Sequence, residues 1–142
     1  MFSTILVAID GSEISKSAFY KALDLAKAEK ADLHTIYVVE SGIMAPGPVD
    51  ATWELIYQRL ETEGRDVMAE LVEDGKQKGV TVTSHLDVGH AGDTILKTAA
   101  SIGCDLIVMG SLGKTKLDRL LLGSVSSHVV NYAKTNVLIV KN

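Results

Sequence analysis

A single cysteine, Cys104, rules out an intramolecular disulfide, so the fold has to rest on its core alone. Its place just before an apolar run marks it as a small core residue rather than a reactive thiol, and a reducing, cytoplasmic setting is expected. Proline is nearly as scarce: Pro46 and Pro48 are the two there are, both in the segment 41–50 that also holds Gly42 and Gly47, which reads as a loop. No apolar run reaches the ~18 residues of a membrane span. The opening MFSTILVAIDGS has no basic stretch and turns polar at Asp10, so neither a signal peptide nor a membrane partner is expected. An excess of positive charge is missing too. With 14 Lys and Arg against 18 Asp and Glu, a net charge of −4, no nucleic-acid partner is expected, and 46% hydrophobic residues are too many for a disordered chain. Repeats and linkers are absent, and residues 1–142 read as one domain able to bury roughly 70% of its unfolded surface.

What the chain does have is a regular alternation of short apolar runs with helical patterns. Residues 4–9 (TILVAI) read as a strand ended by Asp10-Gly11, and Ser12 reads as the N-cap of a helix to about residue 29 with Ile14, Ala18, Ala22, Leu25 and Ala26 inward. A second strand covers 32–39. A long helix over about 52–78 repeats Trp53, Ile56, Leu60, Val67, Met68 and Leu71 at helical spacing and stops at Gly79; Trp53 is read as a packing residue. A third strand at 80–88 alternates as an edge strand would, and a helix at 92–102 turns Ile95, Leu96, Ala99 and Ala100 inward. The fourth strand, DLIVMG at 105–110, a last helix over 123–133 and NVLIV at 136–140 complete the pattern. Five strands joined by helical crossovers make an α/β fold, an open doubly wound five-stranded parallel sheet with helices on both faces. In the order 3-2-1-4-5 the ligand crevice falls between the ends of the first and fourth strands, at Asp10 and Gly110.

The stretch GSLGKTKLDRLLLGSV carries most of the functional signal: Gly110 and Gly113 separated by two residues, nine more residues, then Gly123-Ser124 opening the last helix. A strand, a glycine-bearing loop and a helix N-terminus are the parts of a phosphate site. Gly110 and Gly113 would let backbone approach a ligand, and free N–H groups near Gly123, Ser124 and Val125 would face an anion favoured by the helix dipole. Ser124 and Ser126 add hydroxyls, and of Lys114, Lys116 and Arg119 at least one would lie near a polyphosphate.

ILVAIDGSEIS, DLIVMGSLGKTKLDRLLLGSVSSHVV and NVLIVK together resemble the ATP-binding branch of the universal stress protein family, over essentially the whole chain. The G-x2-G-x9-G-[ST] pattern at Gly110, Gly113, Gly123 and Ser124 is that branch's mark, and the family's fold is the 3-2-1-4-5 sheet. By matching position, the resemblance implies that Ala8, Ile9, Asp10 and Val38 border the adenine. It also implies that Met109, Gly110, Ser111, Gly113, Gly123, Ser124, Val125 and Ser126 contact ribose and phosphates. Leu112 and residues 114–117 fall at variable positions and stay unassigned. Many relatives have a proline just before the last strand, where this chain has Thr135-Asn136. The resemblance further implies a homodimer through antiparallel pairing of the C-terminal strand. Val137, Leu138, Ile139 and Val140 form an apolar run at a sheet edge without protecting proline or charge; the alternative is that the run merely faces its own helices.

Competing readings fail on particular letters. Gly113-Lys114-Thr115 imitates the end of a Walker loop, but Val108 stands where that motif needs glycine. A receiver domain could use Asp10 and Asp87 yet needs a paired acidic cluster and a lysine followed by a further helix, whereas Lys141 is followed only by Asn142. A flavodoxin-like carrier is supported by fold analogy alone. His34, His85, His90 and His128 share no ligand spacing such as H-x3-H, so no metal site is expected; His90, in the loop 89–92, could approach the ligand. The expected function is an ATP-binding (or ADP- or AMP-binding) universal stress protein that regulates a stress response through an unknown client. Magnesium would be held mainly by phosphates and water. The alternative is a slow ATPase or phosphotransfer switch in which Asp118 or Ser126 acts on the triphosphate.

Overall fold

The computed structural model describes residues 1–41, 51–112 and 122–141. Its elements run β1 (Thr4–Ile9), α1 (Glu13–Glu29), β2 (Asp32–Glu40), α2 (Ala51–Gln77), β3 (Val82–Gly89), α3 (Ala91–Ile102), β4 (Leu106–Gly110), α4 (Ser124–Tyr132) and β5 (Asn136–Val140). The five strands form one parallel sheet in the order β3-β2-β1-β4-β5. Ile5 sits between Leu33 and Leu106 in register, so the carboxyl ends of β1 and β4 emerge together where the winding reverses.

Side chains alternate across the sheet and divide the core in two. Ile5, Val7 and Ile9 of β1 and Leu106 and Val108 of β4 pack with Ala18, Phe19 and Ala22 of α1 and with Met68 and Leu71 of α2. Leu6 of β1 and Ile107 and Met109 of β4 face the other way, toward Ile95 and Ala99 of α3 and Val129 of α4. Burial on both faces is why β4 reads as an unbroken apolar run, and all five of its residues are buried.

Several boundaries and faces differ from the sequence expectation. α1 is capped by Ser12, whose hydroxyl accepts the Ser15 N–H at 3.2 Å. Its buried stripe includes Phe19 and Leu23, whereas Leu25 is only partly buried. β3 starts at Val82 because the Val80 N–H turns back to the Gly75 carbonyl at 2.9 Å, closing the end of α2, and Gly79 takes the left-handed φ of 77° that this turn needs. As an edge strand β3 leaves Val88 half exposed, and on α3 Ala100 faces solvent. Asp105 precedes β4 rather than opening it. Its carboxylate accepts the N–H groups of Ser3 and Thr4 at 2.9 to 3.1 Å, which holds its pKa below the usual carboxylate range. Among the described residues, no helix is long and apolar enough to cross a membrane.

Candidate functional site

The end of β1 is built by a local hydrogen-bond turn. Asp10 Oδ1 accepts the Ser12 N–H at 2.9 Å, Gly11 between them adopts φ 85°, and Ser15 Oγ donates to the Ser12 carbonyl at 2.9 Å. This turn sets Asp10 and Ser15 at one side of a cleft that opens between β1 and β4, in the position the topology dictates. The empty space along it amounts to about 520 Å³ with the open solvent at its mouth included. Ala8, Ile36, Val38, Ile95 and Met109 give it apolar walls, while Asp10, Ser15, Gly110 and Ser126 bring polar groups to its edge. That combination of an apolar slot and a few convergent polar groups suits a flat heteroaromatic ligand carrying a polar tail. A further tie frames it: the Ala91 N–H at the start of α3 donates to Glu40 Oε2 at the end of β2, at 3.2 Å.

The N-terminus of α4 faces the same cleft through Val125 and Ser126. Gly123 is the N-cap and has no side chain to cap the helix, so the N–H groups of Ser124, Val125 and Ser126 lack intrahelical acceptors and carry the positive end of the dipole. The Gly123 N–H itself is not free. It donates to the Ser111 carbonyl at 2.7 Å, which corrects its expected role as an anion donor. Ser126 is buried, and its Oγ lies 3.0 Å from the Ser111 carbonyl and 3.1 Å from the Gly123 carbonyl, so its proton is directed into the protein. A hydroxyl that donates to carbonyls, which cannot take up its proton as a base would, is poorly prepared as a nucleophile. A Cβ on Gly110 would lie 3.0 Å from Ile14 Cγ2 and 3.1 Å from Cγ1, so its bare Cα also serves the packing of β4 against α1.

The universal stress protein family model matches residues 1–141. The chain belongs to this family. It is 35% identical to the universal stress protein MJ0531 of Methanocaldococcus jannaschii over 99% of this chain and 83% of that protein. It is 32% identical to the universal stress protein YxiE of Bacillus subtilis over 99% and 100% respectively. Among solved structures, the universal stress protein UspA of Lactobacillus plantarum superposes with a TM-score of 0.90 at 26% identity, covering 97% of each chain. A universal stress protein solved in complex with cAMP superposes with a TM-score of 0.70 at 29% identity, covering 98% of this chain and 96% of the other.

In this universal stress protein, eight of the residues singled out from sequence line the cleft together: Ala8, Ile9, Asp10, Val38, Met109, Gly110, Val125 and Ser126. Ser111, Gly123 and Ser124 lie beside it without lining it, Ser111 being buried and Ser124 exposed. Gly113 lies outside the described residues, as do Lys114, Lys116, Asp118 and Arg119. Ser15, Ile36, Ala91, Ile95 and Leu112 join the lining without having been singled out. Ile36 was legible in principle, since it stands two residues before Val38 and so shares its face of β2. His90 does not enter the lining. It caps α3, its Nδ1 accepting the Asp93 N–H at 3.2 Å.

Proposed function

We propose that this universal stress protein binds an adenine nucleotide, with ATP as its ligand, in the cleft between β1 and β4, and acts as a nucleotide-responsive regulator of a stress response. The observation that carries this is the pairing of an apolar slot at the topological switch point with the uncapped N-terminus of α4. The slot suits the base; the N–H groups of Ser124, Val125 and Ser126 suit phosphate oxygens. A relative's complex with cAMP supports the adenine class, and the Gly110, Gly113, Gly123 and Ser124 pattern favours the triphosphate. Magnesium would be bound chiefly by phosphate oxygens and water, because among the described residues Asp10 is the one carboxylate lining the cleft and a backbone N–H already engages it.

Binding rather than fast chemistry follows from the same geometry. No described side chain on the cleft is placed as a general base apart from Asp10, and the Ser126 proton is committed to backbone carbonyls. ATP turnover by the isolated protein with Mg²⁺ is therefore expected to fall far below the ~1 to 1,000 s⁻¹ of ordinary enzymes. The deciding experiment is to purify the protein without added nucleotide, denature it and identify the released molecule by mass spectrometry, then titrate ATP, ADP, AMP and FMN by calorimetry. ATP should bind tightest; selective binding of FMN, or of none of these, overturns the reading. Two copies are expected to pair antiparallel through β5, the unprotected sheet edge.

A further inference from the structure

Folding brings His128 against two side chains that stand 35 or more residues earlier in the chain. His90 and Asp93 bracket the first turn of α3, and His128 comes from α4, which packs beside it. His128 Nε2 lies 2.7 Å from Asp93 Oδ1, His90 Nδ1 lies 3.4 Å from Asp93 Oδ2, and one nitrogen or oxygen from each of the three falls within 4.8 Å of the others. The two imidazoles meet edge to face with centroids 5.3 Å apart. Gly92 makes the approach feasible: a Cβ there would lie 2.5 Å from His128 Cδ2 and 2.9 Å from Cγ. Capping alone does not explain His90, because Ser, Thr, Asp or Asn caps a helix better than histidine does.

We propose that His90, Asp93 and His128 form a binding site for a borderline divalent transition-metal ion, of the Zn²⁺ class, that clamps α3 to α4. Two imidazoles and one carboxylate match the donor preference of Zn²⁺, Co²⁺ or Ni²⁺ and not that of Mg²⁺ or Ca²⁺, which take oxygen ligands. Metal–ligand bonds of ~2.0 to 2.2 Å place neighbouring tetrahedral ligands about 3.3 Å apart. The His90–Asp93 separation of 3.4 Å is already near that spacing, and the His128–Asp93 separation of 2.7 Å, to the other carboxylate oxygen, has to open slightly. The remaining contraction falls to His90 and Asp93, whose side chains are 60% and 69% exposed and free to turn, while His128 at 29% is the anchored member. The ion replaces the His128–Asp93 hydrogen bond and takes over the His90 lone pair that now caps α3. Water or an exogenous ligand fills the fourth position. The site stands apart from the nucleotide cleft but shares its framework, since Ala91, between His90 and Asp93, lines that cleft.

The test uses the untagged, chelator-stripped full-length protein titrated with Zn²⁺ by calorimetry and with Co²⁺ by visible absorption. One ion per chain is expected, with an absorption band for Co²⁺ typical of four-coordination and no binding of Mg²⁺ in the absence of nucleotide. His128→Gln and His90→Gln should each weaken Zn²⁺ binding at least tenfold. Gly92→Ala, which removes no ligand, should weaken it by displacing the His128 ring. His34→Gln should leave it unchanged. Histidine ring resonances provide a readout that needs no variant: those of His90 and His128 should shift on Zn²⁺ addition while those of His34 and His85 stay. Zn²⁺ binding weaker than millimolar, binding unaffected by both histidine variants, or ring shifts confined to His34 and His85 would overturn the proposal.

Discussion

Ile14 occupies the space that a side chain on Gly110 would need: a Cβ on the glycine would stand 3.0 Å from Ile14 Cγ2. Gly110 belongs by alternation to the α1 face of β4, the face of Leu106 and Val108, so its missing side chain serves helix packing. Gly110→Ala is expected to destabilise the fold by about 1 to 3 kcal/mol through overpacking. Ile14→Ala removes both contacting carbons, so the double variant should recover part of the loss. Urea unfolding of the four proteins of this cycle measures the coupling; additive effects would disprove the contact as the cause.

At the start of α4 fold and ligand are expected to respond in opposite directions. Ser124 is exposed at the first helical position, where a carboxylate favours the dipole. Ser124→Glu should therefore leave stability unchanged or slightly higher while weakening ATP binding at least tenfold, about 1.4 kcal/mol. Gly123→Val should also weaken binding by crowding the phosphate approach. Calorimetry on the folded variants decides, and unchanged affinity in both would remove α4 from the phosphate site.

His34 Nδ1 lies 3.0 Å from His85 Nε2 across β2 and β3, with the rings stacked at 5.2 Å. Burial first, and the neighbouring His85 second, lower the His34 pKa, with Asp32 opposing. The unfolded chain then takes up the proton before the folded one does. Stability is unaffected above the ordinary histidine value of ~6.5 and falls as pH drops from there through the lowered native value. Chemical denaturation between pH 7.5 and 5.5 should show a steeper loss for the wild type than for His34→Gln. Equal slopes would contradict it.

Along β5 burial alternates: Val137 and Ile139 are partly covered, Leu138 is 39% exposed, and Val140 is buried. Ile139→Lys should place a charge on each side of the proposed two-fold contact and yield monomers by light scattering. A wild type that is monomeric at tens of micromolar would refute the dimer directly.

The strands were legible because each announced itself as a short apolar run between helical periods; their order came with the family resemblance, and the switch point in that order located Asp10 and Gly110, whereas Ala8 and Met109 rested on matching positions. Val38 followed from the matching positions of relatives. Other features were not legible because they depend on partners distant in sequence. Nothing local in GSVSS says that the Gly123 N–H meets a carbonyl twelve residues earlier, or that the Ser126 hydroxyl turns inward to the same acceptor. Nor does linear spacing bring His90 to His128; that meeting follows from the side-by-side packing of α3 and α4 and from the bare Cα of Gly92.

One carbonyl has a wider consequence. Ser111 receives both the Gly123 N–H and the Ser126 hydroxyl, while its own N–H donates to the Val140 carbonyl at 2.9 Å. Except for that hydroxyl, the tie that joins β4, α4 and β5 is made of backbone atoms. Substitutions at positions 111, 123 and 140 that leave the backbone in place therefore leave these three elements held in register.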